Sequence, residues 1–217
     1  IFYLTRRDAE ALKPAAPPDQ KLIHLRPFLP LSDLPAASTQ LGPMLSVGMM
    51  RSGEKLASYQ IIADTLALLD GADWHLDIVG DGAERETVGA MMAPFGEKVR
   101  FLGQCDAKQL QSLYAHASLL FWPGVNEAFG LTYLEAQAAG LPVVAQSRPG
   151  VGDVLAPGDY PRVTDGPSAL ASMLKHLLTD PMSRARRGKD ARRYVGEYHL
   201  MASASATLHA AITGVAR

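Results

Sequence analysis

Residues 119–145 read LLFWPGVNEAFGLTYLEAQAAGLPVVA. An apolar run of strand length, Leu119 to Trp122, gives way to a loop carrying Pro123, Gly124, Asn126 and Gly130. A helix is predicted to begin near Leu131, with Glu135 in its second turn, and a second apolar run follows at Pro142 to Ala145. Strand, helix and strand in this order make a crossover unit, which joins parallel strands of one sheet.

The same alternation extends upstream. Apolar runs at Met44 to Met49, His75 to Val79 and Val99 to Leu102 are predicted strands, separated by stretches of helical period. In the first helix Leu56, Tyr59, Ala63, Leu66 and Leu69 recur at spacings of three and four and form one apolar stripe. A later helix opens at Asp106 with Gln109 three residues on, a capping-box arrangement, and carries Leu110, Leu113 and Tyr114 inward. After about residue 165 only helices are predicted: one from near Pro167, one capped by Asp180 with Pro181 in its first turn, and one after His199. The pattern predicts an α/β fold, a Rossmann-like doubly wound parallel sheet with C-terminal helices, whose ligands sit at the carboxyl ends of the strands.

The first 41 residues differ in texture. Seven of the 15 prolines (Pro14, Pro17, Pro18, Pro27, Pro30, Pro35 and Pro43) precede Met44, and each removes a backbone donor and restricts its neighbour. Residues 1–41 are therefore read as a linker without a regular core element. The chain opens on Ile1-Phe2-Tyr3-Leu4, which reads as the end of a strand whose partners lie upstream, so a fragment of a longer protein is expected.

Bulk composition narrows the function classes. The 217 residues carry 21 basic and 22 acidic side chains, a net charge of -1 and 47% hydrophobic residues. Such balance offers no electrostatic footprint for a nucleic-acid backbone, and no apolar run approaches the roughly 20 residues of a bilayer span. Cys105 is the single cysteine, and no leader of the signal-peptide kind is present, which fits a cytoplasmic protein. The six histidines are scattered without metal-ligand spacing, and there is no Asp-x-Asp pair, Walker loop, dinucleotide fingerprint or Gly-x-Ser-x-Gly elbow. No metal and no cofactor are expected. Cys105, Trp74, Trp122 and Tyr114 are read as packing residues, with sugar stacking kept as an alternative for Trp122 alone, which lies near the loop.

The loop 123–130 and the helix after it suit an anionic ligand with hydroxyl groups. Unpaired amides at a helix start and the helix dipole attract phosphate oxygens, and Gly130 lets a ligand approach the backbone. A carboxylate accepts hydrogen bonds from neighbouring hydroxyls, so Glu127 in the loop and Glu135 on the helix suit the two sugar rings of a nucleotide sugar. On spacing alone, two solvated helix-end glutamates are the favoured explanation of the pattern.

The segment resembles the Glu-x7-Glu pattern of the family 4 (group 1) retaining glycosyltransferases. Glu127 and Glu135 have seven residues between them, Phe129-Gly130-Leu131 fills the usual loop, and Leu134-Glu135-Ala136 with Gly140, Pro142, Val143 and Val144 continues the family pattern. The resemblance implies that Glu127 contacts the transferred sugar, that the backbone from Phe129 through Gly130 and Leu131 to Thr132 approaches the donor, and that Glu135 binds the ribose. The stretch Ser46 to Lys55 is similar to the strand-loop-helix that supplies an arginine and a lysine to the donor diphosphate: Gly48 ends the strand and Lys55 matches the lysine. The residue directly after Gly48 is Met49, and the nearest arginine is Arg51. Gly80-Asp81-Gly82 looks like the family's nucleotide-side loop, although a plain tight turn explains it as well, and Leu102-Gly103-Gln104 is similar to the strand end that holds the base through main-chain groups.

By resemblance this chain is the donor-binding half of a GT-B enzyme that transfers a hexosyl group from a nucleotide-diphosphate sugar without a metal. Residues 1–41 would be the interdomain linker and a remnant of the N-terminal domain, 42–197 the nucleotide-sugar-binding domain, and 198–217 a helix packing toward an acceptor-binding N-terminal domain outside this chain, through which the protein would be at most peripheral to a membrane. Catalytic roles fall to Glu127, Lys55 and Arg51. The rival readings are a GT-B epimerase or phosphorylase, and a binding module that has lost its chemistry, for which Met49 is the support.

Overall fold

The structure is a computed structural model and describes residues 1–215. In chain order the elements are β1 (Phe2–Tyr3), α1 (Arg6–Leu12), β2 (Ile23–His24), β3 (Met44–Val47), α2 (Glu54–Leu66), β4 (Leu76–Val79), α3 (Arg85–Met92), β5 (Val99–Gly103), α4 (Ala107–Tyr114), β6 (Leu120–Phe121), α5 (Leu131–Ala138), β7 (Val143–Val144), α6 (Gly166–Thr179), α7 (Pro181–Tyr198) and α8 (Met201–Val215). The five strands predicted from the apolar runs form one sheet of order β5-β4-β3-β6-β7, every neighbouring pair parallel. β4 is buried at all four positions, as a parallel strand covered on both faces must be.

The order reverses direction at β3. From there the chain steps outward through β4 and β5, then returns by α4 to β6 on the other side of β3. Right-handed crossovers therefore put α2 and α3 on one face and α4 and α5 on the other. α2 packs with α3 and α6, and α5 packs with α7. The crevice between β3 and β6 is the topological switch point, where ligands of open α/β sheets bind at the carboxyl ends.

The helix starts follow the sequence closely. Asp106 accepts from the Gln109 amide at 2.8 Å, and the Gln109 side chain accepts from the Asp106 amide at 2.8 Å. Asp180 caps α7 by accepting from the Ser183 amide at 3.0 Å. The apolar stripe of α2 turns Tyr59, Ala63 and Leu66 into the core, and Leu69 follows just past the helix end.

Residues 1–41 hold regular elements, against the expectation drawn from their prolines. β1 and β2 form a two-stranded parallel sheet, and α1 between them is closed by a capping box in which Thr5 and Asp8 bond each other's amides at 2.8 and 3.2 Å. The Thr5-x-x-Asp8 spacing signals this helix, and it ends just before Pro14, the first of the prolines. The opening apolar residues pair with Ile23 and His24. Arg6 fastens this arm to the body through Asp153, at 2.8 Å from its Nε and 3.1 Å from its backbone amide.

The strip after it is anchored too. The Leu29 amide donates to the His199 carbonyl at 2.8 Å, and His199 Nδ1 donates to the Pro27 carbonyl at 2.6 Å. His199 is fully buried, its Nε2 lacks a partner among the described residues, and burial depresses its pKa to about 4. The unfolded chain takes up this proton near the ordinary histidine pKa of about 6.5, whereas the folded chain resists until about pH 4. Stability is therefore complete above about pH 6.5 and declines as pH falls toward 4, by on the order of 3 kcal/mol. Urea unfolding between pH 7 and 4.5 should show this slope in the wild type and a shallower one in His199→Gln.

Gly80 tests the strand-end loops. Its φ is +136°, and a Cβ there would come within 1.9 Å of the Gly48 carbonyl oxygen, a backbone atom that cannot swing away. Gly80→Ala is expected to lower stability by at least about 2 kcal/mol in a denaturant titration.

Candidate active site at the carboxyl edge of the sheet

Three strand-end loops meet with no side chain between them. The Gly48 amide donates to the Val79 carbonyl at 3.0 Å, the Gly80 amide to the Gly103 carbonyl at 2.8 Å, and the Met50 amide to the Asp81 carbonyl at 2.9 Å. Gly82, at φ +150°, lies so close to Met50 that a Cβ would meet its carbonyl oxygen at 2.2 Å. Gly48, Gly80, Asp81, Gly82 and Gly103 are thereby drawn into one backbone surface beside the switch point. Leu102 is partly buried next to it, and Gln104 is exposed.

Across the crevice, the loop after β6 is pinned from several sides. The Val125 amide donates to Ser58 Oγ on α2 at 3.1 Å, and Asn126, at φ +49°, donates from its side chain to Glu54 at 3.1 Å. From behind, Gly150 approaches so closely that a Cβ would lie 1.9 Å from the Ala128 carbonyl oxygen. Gln137 secures that backing: its buried amide bonds the carbonyls of Tyr133 and Val154 and the amide of Ala156 at 2.7–3.0 Å.

This holding brings Glu127 to Lys55. The two form an ion pair across the crevice, their side chains 14% and 16% exposed. The same carboxylate oxygen, Oε1, accepts from the Trp122 indole Nε1 at 2.9 Å, and the Lys55 ammonium lies 5.3 Å from the centre of that indole. Two carboxyl-edge residues 72 positions apart in sequence are thus in direct contact. Arg51 does not join them: it is exposed, and its side chain pairs with no carboxylate among the described residues, although its charge helps lower the pKa of Glu54. Met49, directly after Gly48, is 55% exposed.

Gly130, at φ +77°, precedes α5, whose start has no side-chain cap. The Leu131 and Thr132 amides, as the first two of the helix, cannot be paired within it, and Phe129 packs partly buried against the core. Glu135 follows one turn later and accepts from the Tyr114 hydroxyl at 3.0 Å. Burial pushes the Tyr114 phenol well above its usual range, and the charge of Glu135 adds to this, so Tyr114 stays a donor. Burial raises Tyr133 likewise, with Glu127 contributing.

Trp122, Tyr114, Ser58, Asn126 and Gly150 were not singled out as site residues by the sequence. Trp122 and Tyr114 are indeed buried core residues, at 1% and 5% exposure, yet their polar atoms are spent on Glu127 and Glu135. Their signal was a polar aromatic one element away from each glutamate, invisible without the fold. Arg148 was also passed over. Among the described residues its half-buried guanidinium bonds only Gln146 Oε1, at 2.6 and 3.1 Å, and burial lowers its pKa. Among the described residues no group of three or more His, Cys, Asp or Glu side chains is placed to hold a metal ion, and no helix is long and apolar enough to cross a membrane.

The fold is that of a Rossmann-like half of a GT-B glycosyltransferase. The chain belongs to the glycosyl transferases group 1 family, whose model matches residues 49–194. A D-inositol 3-phosphate glycosyltransferase of Corynebacterium efficiens is 34% identical over 130 residues, covering 58% of this chain and 31% of the relative. A GDP-mannose-dependent monoacylated alpha-(1-6)-phosphatidylinositol monomannoside mannosyltransferase of Corynebacterium glutamicum is 32% identical over 132 residues, covering 57% and 34%. This chain thus spans about a third of the length of these relatives. Among solved structures, the sucrose-phosphate synthase of Thermosynechococcus elongatus superposes with a TM-score of 0.80 at 20% identity, over 99% of this chain and 43 percentage points short of its own full length, 57% of it being covered. The Anabaena protein HepE, solved in complex with UDP and glucose, gives 0.77 at 14% identity over 98% of this chain and 62% of its own.

The ion pair yields a stability prediction. Lys55→Met strips a largely buried carboxylate of its counter-ion and should cost about 2–3 kcal/mol, whereas Lys55→Met combined with Glu127→Gln should recover at least half of that. Equal losses in urea unfolding of the single and double variants would mean that the two groups are not coupled.

Proposed function

We propose that the chain is the donor-binding half of a retaining glycosyltransferase that moves a hexosyl group from a nucleotide-diphosphate sugar to an acceptor. The observation carrying this reading is the contact between Lys55 and Glu127 at the switch point, one cation and one carboxylate beside the unpaired amides that open α5. The diphosphate lies against those amides and the Lys55 ammonium, which attract its charge. The transferred sugar hydrogen-bonds Glu127, the ribose hydroxyls bond Glu135, and the base sits against the backbone of Leu102 to Gln104, beside the Gly80-Asp81-Gly82 turn. The named Corynebacterium relatives, one of them GDP-mannose-dependent, and the Anabaena neighbour with UDP and glucose bound support a nucleotide-sugar donor.

In the transfer, the bond between the anomeric carbon and the diphosphate oxygen breaks, and the acceptor oxygen bonds the same carbon on the same face. The acceptor's proton passes to the departing phosphate, and the nucleoside diphosphate leaves. Negative charge grows on the diphosphate during this step, so the fixed Lys55 cation lowers the barrier more than it strengthens ground-state binding. No metal or further cofactor is required in this scheme. Arg51 can contribute only by swinging in from its exposed position, and Lys55 is the principal cation. The acceptor is bound by a second Rossmann-like domain of the same protein, toward which α8 packs.

Calorimetric titration of the chain with UDP, GDP and ADP in the presence of EDTA tests the reading. One nucleotide should bind saturably, and Glu135→Ala and Lys55→Ala should each weaken it about tenfold or more, the loss of one charged contact. Absence of binding by a folded chain at millimolar nucleotide would sink it. The exposed Met49 beside Gly48 favours a second reading, a nucleotide-sugar-binding module without chemistry; slow hydrolysis of the donor by the whole protein would rule that module out.

A further inference from the structure

We infer that Trp122 is a positioning residue: its indole N–H, together with Lys55, occupies Oε1 of Glu127 and leaves Oε2 as the one carboxylate oxygen for a sugar hydroxyl. The inference rests on the donor reading above and sharpens how Glu127 meets its ligand. A carboxylate oxygen has two lone pairs in its plane, and Oε1 already accepts from Trp122 Nε1 at 2.9 Å and from the Lys55 ammonium. Oε2 has no hydrogen-bond partner among the described residues. A free glutamate would accept from two neighbouring hydroxyls; this one accepts on one side only.

The direction of the indole N–H is set by the core rather than by the loop. Trp122 is 1% exposed, its amide donates to the Val144 carbonyl at 3.0 Å, and its own carbonyl accepts from Tyr133 Oη at 3.1 Å. Tyr59 meets the ring edge-on at 5.2 Å, with the planes at 78°. The far rim of the ring presses on Gly48, where a Cβ would come within 2.5 Å of Cη2. A ring so enclosed cannot turn, so the loop carboxylate is aligned to a donor fixed by the sheet. A buried indole N–H needs a partner, and here it is spent on a loop carboxylate at the ligand edge rather than on a neighbouring carbonyl.

Two replacements isolate the N–H. Trp122→Phe removes it with part of the ring, and β-(3-benzothienyl)alanine at position 122 removes it while keeping the ring's shape, so that a folding defect in the first does not decide the outcome. Each chain is titrated with the pairs UDP and UDP-glucose, GDP and GDP-mannose, and ADP and ADP-glucose. The reading is the factor by which the sugar changes affinity over the nucleotide alone. The benzothienyl replacement should leave nucleotide Kd within about twofold of wild type, and both replacements should reduce the sugar's factor at least threefold. In ligand-free chain, the Trp122 indole N–H resonance should move in Glu127→Ala while that of Trp74 stays.

An unchanged sugar factor, or a parallel loss for nucleotide and nucleotide sugar, would overturn the positioning role and leave the donor reading intact. An unmoved Trp122 resonance in Glu127→Ala would do the same. Failure of the wild-type chain to bind any of the nucleotides would overturn both.

Discussion

Everything at the carboxyl edge depends on how closely the strand-end loop of β3 lies against the ring that ends β6. Gly48 leaves no Cβ between backbone and indole, and any larger residue would drive the Trp122 ring outward or the loop away from it. That contact sets the width of the crevice at the switch point. With the width fixed, α2 starts close enough to the loop after β6 for Lys55 to reach Glu127 and for Ser58 to bond the Val125 amide. The carbonyl of the same glycine accepts from the Tyr59 hydroxyl at 2.7 Å, so the loop is held by the core helix as well as by its neighbouring strands.

The site is thus assembled largely by backbone crossings. Gly48 against Gly80, Met50 against Gly82, and Ala128 against Gly150 are all contacts in which a Cβ would collide with a carbonyl. Three charged side chains stand out from this backbone frame, Lys55, Glu127 and Glu135. Each of these is met by a group from a different element: α2 faces the loop after β6, Trp122 sits under that loop, and Tyr114 on α4 reaches Glu135 on α5. Spreading the supports over several elements ties the geometry of the edge to the packing of the whole sheet.

The strands and the helices of the body were legible in sequence because each carries its own periodicity and caps: the runs at Met44, His75, Val99, Leu119 and Pro142 all became paired strands, and Asp106 and Asp180 start helices as their spacing says. The contact of Lys55 with Glu127 was not legible from spacing, since 72 residues separate them and only the strand order makes them neighbours. Trp122 and Tyr114 were read as packing residues, which their burial supports, but the destination of one polar hydrogen on each is a property of the folded edge. In the first 41 residues the prolines masked a short βαβ arm, because proline restricts the backbone locally without forbidding strands of two residues or a helix placed between the prolines.

The shared oxygen of Glu127 also constrains how this edge can drift through descent. Residues 55, 122 and 127 satisfy one another through a single atom, so the effect of replacing any one depends on which residues occupy the other two. A lineage that lost the indole donor would meet a different fitness landscape at position 55 from one that kept it. The three positions should therefore change in concert among descendants of this sequence, whereas Met49, exposed and not bonded to that oxygen, is free to vary alone.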